Sequence, residues 1–277
     1  MFGRRNQDEY YNGRPQTNGN RRNIKLTLII GLVMAAFSLF KYYNNEQLNP
    51  ITGEKQRVSI SAEQEVALGL QSAPQMVQQY GGIHPDLRAQ SLVKSVGEKL
   101  IQSTVAKQSG YPYEFHLLAD PQVINAFALP GGQVFITEAL FSKLENEDQL
   151  AGVLGHEVGH VIHRHGAERI AKMELTQGLT GAAVIAAGDY NSAQFAQMVA
   201  NLVNMKYGRD QELESDDFGV RLMMEAGYDP KALVGVMDIL ESASGGERQP
   251  EFQSTHPSPE NRRQKIMEAI QKYHKTK

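Results

Sequence analysis

The chain of 277 residues carries 28 lysine and arginine residues, 31 aspartate and glutamate residues, and a formal net charge of −3. Because both signs are spread along the chain, it lacks the basic footprint of a nucleic-acid-binding protein, and no nucleic-acid partner is expected. The absence of cysteine excludes disulfides, a lipidated cysteine anchor and a thiol nucleophile.

Residues 1–25 are polar and basic, and their Asn, Gln, Gly and Pro content is typical of a disordered tail. An apolar stretch follows, which we predict to be a transmembrane signal anchor over residues 26–43. Its uncharged part, residues 26–40, spans about 22 Å as a helix, against a hydrocarbon core of about 30 Å. Lys41 and the two tyrosines after it extend the span to a workable length.

The basic flank of such an anchor stays in the cytoplasm. We therefore expect a single-pass protein of a bacterial inner membrane, with a cytoplasmic N-terminus and the rest of the chain on the extracytoplasmic, periplasmic side. Two alternatives stay open: a cleaved signal peptide that exports the protein, and a buried helix of a soluble protein. The polarity of the preceding tail makes the buried helix the least favoured of the three.

Residues 44–60 are predicted to be a linker, because Pro50 and Gly53 interrupt a polar stretch. Residues 61–277 are predicted to form one domain of the α+β class that is mainly helical. Its first predicted elements are helices over 61–79 and 86–109 and strands over 113–118, 123–129 and 133–137.

The segment from Asn125 to Gly132 combines a short strand with a Pro-Gly-Gly turn. An exposed strand edge lends its N–H and C=O groups to an extended peptide with little sequence preference. The backbone of Asn125, Ala126 and Phe127 is therefore a candidate for peptide binding. The alternative is an ordinary hairpin packed under the next helix.

A helix is predicted to begin at Asn146, since Asn146 and Gln149 have the spacing of an N-cap and capping box. Apolar residues then recur with helical period up to Ile162. His156 and His160 are four apart on this helix and share one face, so that both imidazoles can bind one metal ion. Glu157 follows the first histidine, which completes the HExxH pattern of zinc peptidases.

HExxH also occurs by chance, as a helix whose polar face happens to carry two histidines. Gly155 and Gly159 favour the metal site, because glycine costs about 1 kcal/mol in a helix interior and close approach of another segment would explain it. A structural zinc site with cysteine ligands is excluded. A zinc ion here is therefore expected to keep an open position for water.

A third metal ligand has to come from another segment. The metzincin pattern fails, because His163 and Gly166 stand where glycine and histidine are required. In a later acidic stretch, Glu212 and Asp216 are four apart and share a helix face. Glu212 is a candidate ligand and Asp216 a candidate partner for the far nitrogen of a ligand histidine. The alternative is an acidic helix start without a metal.

Downstream of the motif, His163 and His165 are expected to lie on the surface or behind the ligands rather than to bind the metal. Residues 175–187 are predicted to be a buried helix, with a membrane-facing hairpin as the alternative. The remaining predictions are helices over 193–205 and 228–242, a mobile segment over 244–253, and a last helix with Ser258 at its N-cap and Pro259 at its first position.

Four blocks of the sequence resemble the HtpX and CAAX-prenyl-endopeptidase family of gluzincin zinc metallopeptidases. The blocks are the strand and turn from Asn125 to Gly132, HEVGHV from His156 to Val161, the stretch from Arg209 to Gly219, and Thr255-His256-Pro257-Ser258-Pro259. They occur in the order of that family and span roughly residues 62–272. The similarity is greatest to members with a single anchor and no C-terminal repeats.

The resemblance implies one zinc ion per chain, held by His156, His160 and Glu212, with Glu157 as the catalytic base and Asp216 behind a ligand. It implies a small β-sheet beside the zinc helix and favours the strand edge as the place where polypeptide substrates bind. His256 is a further catalytic candidate, which either stabilises the oxyanion or occupies the open zinc position at rest. Arg262 and Arg263 are weaker oxyanion candidates.

The expected function is a zinc-dependent endopeptidase in quality control of misfolded or misassembled membrane and envelope proteins. A zinc-stabilised, membrane-tethered chaperone or assembly factor with little proteolysis is the alternative. The intact Glu157 weighs against it, because a structural metal site has no use for a base. A peptidase of prenylated peptides is less favoured, because those relatives have several membrane spans and one is predicted here.

Overall fold

A computed structural model describes residues 20–187, 207–243, 251–257 and 261–275. Within these ranges the protein is mainly helical and contains small sheets, which confirms the predicted α+β class. The predicted helix over 193–205 lies outside the described residues, as do most of the tail predicted over 1–25 and residues 244–250 of the predicted mobile segment.

Helix α1 (Asn20–Asn44) contains the predicted anchor, and its part from Lys25 to Asn44 is long and apolar enough to cross a membrane. It carries most of the exposed large apolar side chains of the described chain, among them Leu32 and Phe37. Such side chains are stable in lipid rather than in water. The length and the exposed apolar surface of α1 are thus those that a membrane-spanning helix requires.

The predicted linker is not a free connection. Its residues form an antiparallel hairpin of β1 (Glu46–Leu48) and β2 (Lys55–Arg57). Asn49, in the turn of this hairpin, donates from Nδ2 to the carbonyl oxygen of Ile162 at 2.7 Å. The hairpin is thus fastened to the end of the helix that carries the HExxH motif.

Two helices form the scaffold before the sheet. α2 (Ala62–Gln79) begins at Ser61 with a capping box, as its sequence predicts. α3 (Leu87–Gln102) is capped by Asp86 but ends before the predicted 109. Thr104 caps a separate 3-10 turn there, because its hydroxyl accepts from the Ala106 N–H and so breaks the helical ladder.

The predicted strands form a sheet of order β3-β5-β4, in which β3 (Glu114–Leu118) is parallel and β4 (Ala126–Ala128) antiparallel to β5 (Gln133–Thr137). β4 is shorter than predicted and is an edge strand. A short helix, α4 (Glu138–Phe141), follows β5 directly. β4 packs against the motif helix, which places a strand edge beside the predicted metal site.

The motif helix, α5 (Glu147–Ile162), is buried along almost its whole length. The Asn146 side chain accepts from the Gln149 N–H at 2.9 Å, which confirms the N-cap. The Gln149 side chain accepts from the Glu145 N–H instead of closing a capping box onto Asn146.

Helix α6 (His165–Ala187) includes the predicted 175–187 helix and packs along α1. Lys41 and Glu174 form an ion pair of 2.8 Å between the two helices. A Cβ added to Gly178 would collide with Ser38, so the helices approach closely at this small residue.

The C-terminal part contains α7 (Arg209–Ala226), α8 (Ala232–Ala243), α9 (Glu251–Thr255) and α10 (Arg262–His274). One prediction is wrong here. Residues 251–253, expected to be mobile, are helical with Phe252 buried. The last helix follows Asn261, which takes a left-handed conformation, and the predicted N-cap Ser258 and first position Pro259 lie outside the described residues.

Glycine lets α5 and α7 cross at short range, as the cost of glycine inside α5 suggests. An ideal Cβ on Gly159 would lie 2.9 Å from the carbonyl oxygen of Ser215, closer than real Cβ atoms come to other atoms. A Cβ on Gly155 would lie 3.5 Å from the nearest atom, the carbonyl oxygen of Gly219, which is ordinary contact. The tight approach is therefore concentrated at Gly159, one residue before a predicted metal ligand.

We expect Gly159→Ala to destabilise the protein by about 1–3 kcal/mol through overpacking against Ser215. The matched Gly155→Ala fits in place and gains helix propensity, by about 1 kcal/mol at most. Thermal unfolding of the detergent-solubilised chain measures both. Equal melting temperatures for the two variants would contradict the crossing described here.

Candidate metal centre

Four buried side chains from three segments converge between α5 and α7: His156, His160, Glu212 and His256. His160 Nε2 lies 3.1 Å from His156 Nε2 and 3.5 Å from Glu212 Oε1, and His156 Nε2 lies 3.6 Å from Glu212 Oε2. Ligand atoms about 2.0–2.1 Å from a tetrahedral zinc are separated by about 3.3–3.4 Å. The predicted ligand atoms therefore have the spacing of a zinc site.

The charges and hydrogen bonds of the cluster also fit a divalent cation. The carboxyls of Glu157, Glu212 and Asp216 are almost completely buried, and Arg262 is the guanidinium among them. When ionised, these four groups together carry two negative charges. Oε2 of Glu212 is buried without a hydrogen-bond partner, which is costly unless a cation supplies the missing contact.

Glu157 points into the same space. Both of its carboxyl oxygens are buried without a hydrogen-bond partner, and Oε1 lies 3.7 Å from His256 Nε2. Burial raises the pKa of Glu157, against the opposing charges of the neighbouring histidines. The carboxyl is thus held next to the cluster in an environment that lets it bind a proton.

Asp216 fixes the first histidine, as predicted. Its Oδ1 lies 2.8 Å from His156 Nδ1, so His156 directs Nε2 into the cluster. Burial alone would raise the pKa of Asp216, but Arg262, which donates from Nε to Oδ2 at 2.6 Å, holds it well below its usual range. Burial lowers the pKa of His156, but the bond to Asp216 raises it overall.

Both arginine candidates are paired with carboxylates of the protein. Arg262 is buried and donates to both oxygens of Asp216. Arg263 is half exposed and pairs with Asp238 and Glu241. Arg262 therefore lies behind the predicted ligands, and Arg263 lies at the surface.

The second histidine has a different partner. His160 Nδ1 lies 2.8 Å from Nδ1 of His165, whose Nε2 lies 2.9 Å from Glu214 Oε2. His165 is buried, and burial followed by the neighbouring positive charges lowers its pKa well below the usual value. The prediction that His165 lies behind the ligands agrees with this position. His163 is also buried and pairs with Glu54 at 2.9 Å.

Tyr207 is a site residue that the sequence does not reveal. Its ring stacks on His160 with centroids 3.7 Å apart, and the Arg169 guanidinium lies 3.7 Å from its other side. Burial raises the pKa of Tyr207 to about 12. Tyr207 lies two residues before α7 and belongs to no sequence motif. Its contact with a predicted ligand histidine therefore becomes visible only in the folded structure.

His256 belongs to the cluster, at the end of α9. Its Nδ1 lies 3.1 Å from Glu212 Oε1 and 3.3 Å from His156 Nε2. Phe252 stacks on its ring with centroids 4.4 Å apart. His256 therefore lies where the open position of the metal is expected.

The segment from Glu251 to Pro257, here called the strap, also contacts the strand edge. Glu251 Oε1 accepts from the hydroxyl of Tyr80 at 2.5 Å and from Asn125 Nδ2 at 3.1 Å. The Phe252 N–H donates to the carbonyl oxygen of Ile124 at 3.2 Å. The side chain of Asn125 thus holds the strap and does not face the cluster.

The backbone N–H and C=O groups of successive residues in β4 point alternately towards β5 and towards the outer edge of the sheet. Thr137 donates to the carbonyl oxygen of Asn125, and the Leu129 N–H donates to Gln133, so residues 125, 127 and 129 face β5. Ala126 and Ala128 then present their N–H and C=O groups to the outer edge. Phe127 packs its ring on Phe135 and Tyr80.

A cavity of about 20 Å³ separates this edge from the strap, and its lining includes Ala128, Tyr207, Thr255 and His256. Such a cavity holds about one water molecule. An added strand needs about 4.7–4.9 Å beside its neighbour. The cleft between the edge and the cluster is therefore closed to a peptide in this conformation.

A model of peptidase family M48 matches residues 87–270 of the chain. The mitochondrial metalloendopeptidase OMA1 of Schizosaccharomyces pombe is 30% identical over 254 residues, which cover 90% of this chain and 73% of that protein. The β-barrel assembly-enhancing protease of Escherichia coli K12 is 30% identical over 259 residues, 87% of this chain and 51% of that protein. The metalloprotease YcaL of the same organism is 33% identical over 164 residues, 57% of this chain and 61% of that protein.

We expect Asp216→Asn to lower zinc affinity by roughly 10–100-fold, because the amide loses the charge that orients His156 and leaves Glu212 as the buried counter-ion of Arg262. Asp217→Asn is the matched control, since its neighbour Asp217 pairs with Lys272 near the surface. Competition with a zinc chelator measures both dissociation constants. An unchanged affinity in the Asp216 variant would remove its role behind the ligand.

Proposed function

We infer that the chain, which belongs to peptidase family M48, hydrolyses peptide bonds of misfolded or misassembled membrane and envelope proteins. It is a metalloendopeptidase with zinc as its cofactor and polypeptides as substrates. The observation that carries the mechanism is the convergence of His156, His160 and Glu212 with the unpartnered carboxyl of Glu157.

In the proposed site, Nε2 of His156, Nε2 of His160 and the Glu212 carboxylate hold the zinc ion. When bound, zinc polarises the scissile carbonyl and lowers the pKa of a coordinated water. The spacing of the ligand atoms and the two unbalanced negative charges support this assignment.

Glu157 is proposed as the general base. Its carboxyl oxygens have no competing hydrogen bond in the described structure, so either can accept a proton from the attacking water. Burial raises its pKa, so the carboxyl can hold that proton until it passes to the leaving amine. A base with these properties distinguishes a peptidase from the alternative of a zinc-stabilised chaperone.

Substrate is proposed to bind as an extended strand along β4. Of the three predicted contacts, only Ala126 turns its backbone groups outward, because Asn125 and Phe127 pair with β5. The outward N–H and C=O groups of Ala126 and Ala128 would pair with its backbone. Main-chain pairing needs no particular side chain. Main-chain pairing therefore suits an enzyme whose substrates have an exposed, unfolded backbone in common but no common sequence.

His256 is proposed to hold the fourth position at rest. Its Nδ1 lies among the ligand atoms, and the strap that carries it is fastened to Ile124 and Asn125 at the start of the same strand edge. A substrate strand and the strap compete for one cleft. The protein is then latent until the strap moves away, and both the metal position and the strand edge open together.

The membrane is proposed as the site of action, through α1 as an uncleaved anchor, with the N-terminus cytoplasmic and the catalytic domain on the periplasmic side. The apolar exposed surface of α1 and the basic residues before it support this orientation. The name of the E. coli relative connects that protein with β-barrel assembly, and we extend the role to envelope quality control in this chain. The chain spans about half the length of that relative.

We expect Glu157→Gln to keep one zinc per chain and to reduce casein hydrolysis by about 10²–10⁴-fold, as loss of a general base does. Glu147→Gln on the same helix is the control, because Glu147 pairs with the Tyr228 hydroxyl, outside the cluster. Hydrolysis at the rate of the unmodified protein would show that Glu157 is not the base.

We expect His256→Ala to hydrolyse casein faster, on the order of tenfold, with zinc content unchanged, because the variant empties the position that substrate must enter. His274→Ala, at the exposed end of α10, serves as the control. Slower hydrolysis would instead favour a role for His256 at the oxyanion.

A further inference from the structure

The two proposed ligand histidines are oriented by different groups. His156 is held by a carboxylate, Asp216, at 2.8 Å. His160 is held by another imidazole, His165, at 2.8 Å between the two Nδ1 atoms. An imidazole, unlike a carboxylate, can accept a hydrogen bond from His160 only when its facing nitrogen carries no proton.

We propose that His165 is a positioning residue for His160, and that Glu214 sets the tautomer of His165. The proposal rests on His160 being a zinc ligand, as the proposed function requires. A zinc-bound Nε2 leaves the proton of neutral His160 on Nδ1, which must donate. His165 Nδ1 must then accept, so the proton of neutral His165 sits on Nε2.

In its carboxylate form, Glu214 favours this tautomer. Its Oε2 lies 2.9 Å from His165 Nε2 and can then only accept from it. Ser215 Oγ lies 3.4 Å from His165 Nδ1, and because a hydroxyl either donates or accepts, this contact fits both tautomers. The Glu214 contact is therefore the one that sets the proton arrangement from Glu214 through His165 to His160.

A break in the helix brings His165 next to His160, a position that a continuous helix would not allow. Five residues along a helix rotate a side chain about 140° away from His160. α5 ends at Ile162, and Arg164 takes a left-handed conformation with φ of 54° before α6 begins. Arg164 donates to Glu65 and to the carbonyl oxygen of Ile60, each at 2.8 Å, and these bonds hold the strained turn.

A second metal ion is the competing explanation. His163, His165 and Glu214 also have ligand atoms within 4.8 Å of one another, and His163 Nε2 is buried without a hydrogen-bond partner. An ion on His165 Nε2 would put the proton of His165 on Nδ1, opposite the Nδ1 proton of His160. Two donors would then face each other at 2.8 Å, so occupation of this second site and of the zinc site is mutually unfavourable.

The test compares His165→Asn with His165→Leu in the full-length, detergent-solubilised chain carrying Glu157→Gln, which prevents self-cleavage. The Oδ1 of asparagine replaces Nδ1 as an acceptor, whereas leucine has a similar size and no acceptor. We expect His165→Asn to keep zinc affinity within about threefold and His165→Leu to lose roughly 10–100-fold. His163→Asn, at the neighbouring stacked ring, is the control and should leave affinity unchanged.

A second measurement needs no variant and therefore does not depend on folding. Long-range ¹H–¹⁵N spectra of histidine-labelled, zinc-loaded protein should show His160 protonated on Nδ1 and His165 on Nε2. Equal zinc affinity for His165→Asn and His165→Leu, or His165 protonated on Nδ1, would overturn the proposal. Two zinc ions per chain, one lost in His163→Asn, would establish the second site instead. No zinc in the unmodified chain would defeat the proposed function itself.

Discussion

The site depends on how closely α5 and α7 can cross. The Cβ-free surface of Gly159 lies against the backbone of Ser215, and Gly219 lies against the backbone at His156. At this contact the backbones of the two helices touch directly, with no side chain between them. A glutamate side chain on α7 can then reach two imidazoles on α5, whereas a side chain at the crossing would push Glu212 out of range.

The same closeness creates an electrostatic problem that the rest of the site solves. Glu157, Glu212 and Asp216 are buried within a few ångströms of each other, and such charges are costly without partners. Arg262, which reaches in from α10, neutralises Asp216 and approaches Glu212 Oε2 at 3.5 Å. The last helix of the described chain thus contributes to the candidate metal centre, since it carries the positive charge that neutralises Asp216 beside the proposed ligands.

Local sequence patterns predicted the parts of this site that depend on helix geometry. The i, i+4 spacing of His156 and His160 and of Glu212 and Asp216 follows from rotation per residue, and glycine inside α5 indicated the crossing. Patterns did not predict Tyr207 stacking on His160 or Arg262 bound to Asp216, because these contacts arise from the packing of distant segments. They placed His165 on the surface or behind the ligands, but not its contact with His160, because that contact requires the left-handed turn at Arg164.

Two differences between the predicted and the observed fold have a common physical cause. From their polar composition, residues 44–60 were expected to be a linker and residues 251–253 part of a mobile segment. Asn49 and Glu251 nevertheless use polar side chains to bind buried elements. A polar side chain that satisfies a buried carbonyl or amide stabilises a short segment that no apolar stripe would reveal. In this protein the strap is held by the Glu251 carboxylate, which binds Tyr80 and Asn125, and by the buried ring of Phe252. Under the proposed function, substrate would displace the strap by exchanging these polar contacts for water and for the backbone hydrogen bonds of its own strand.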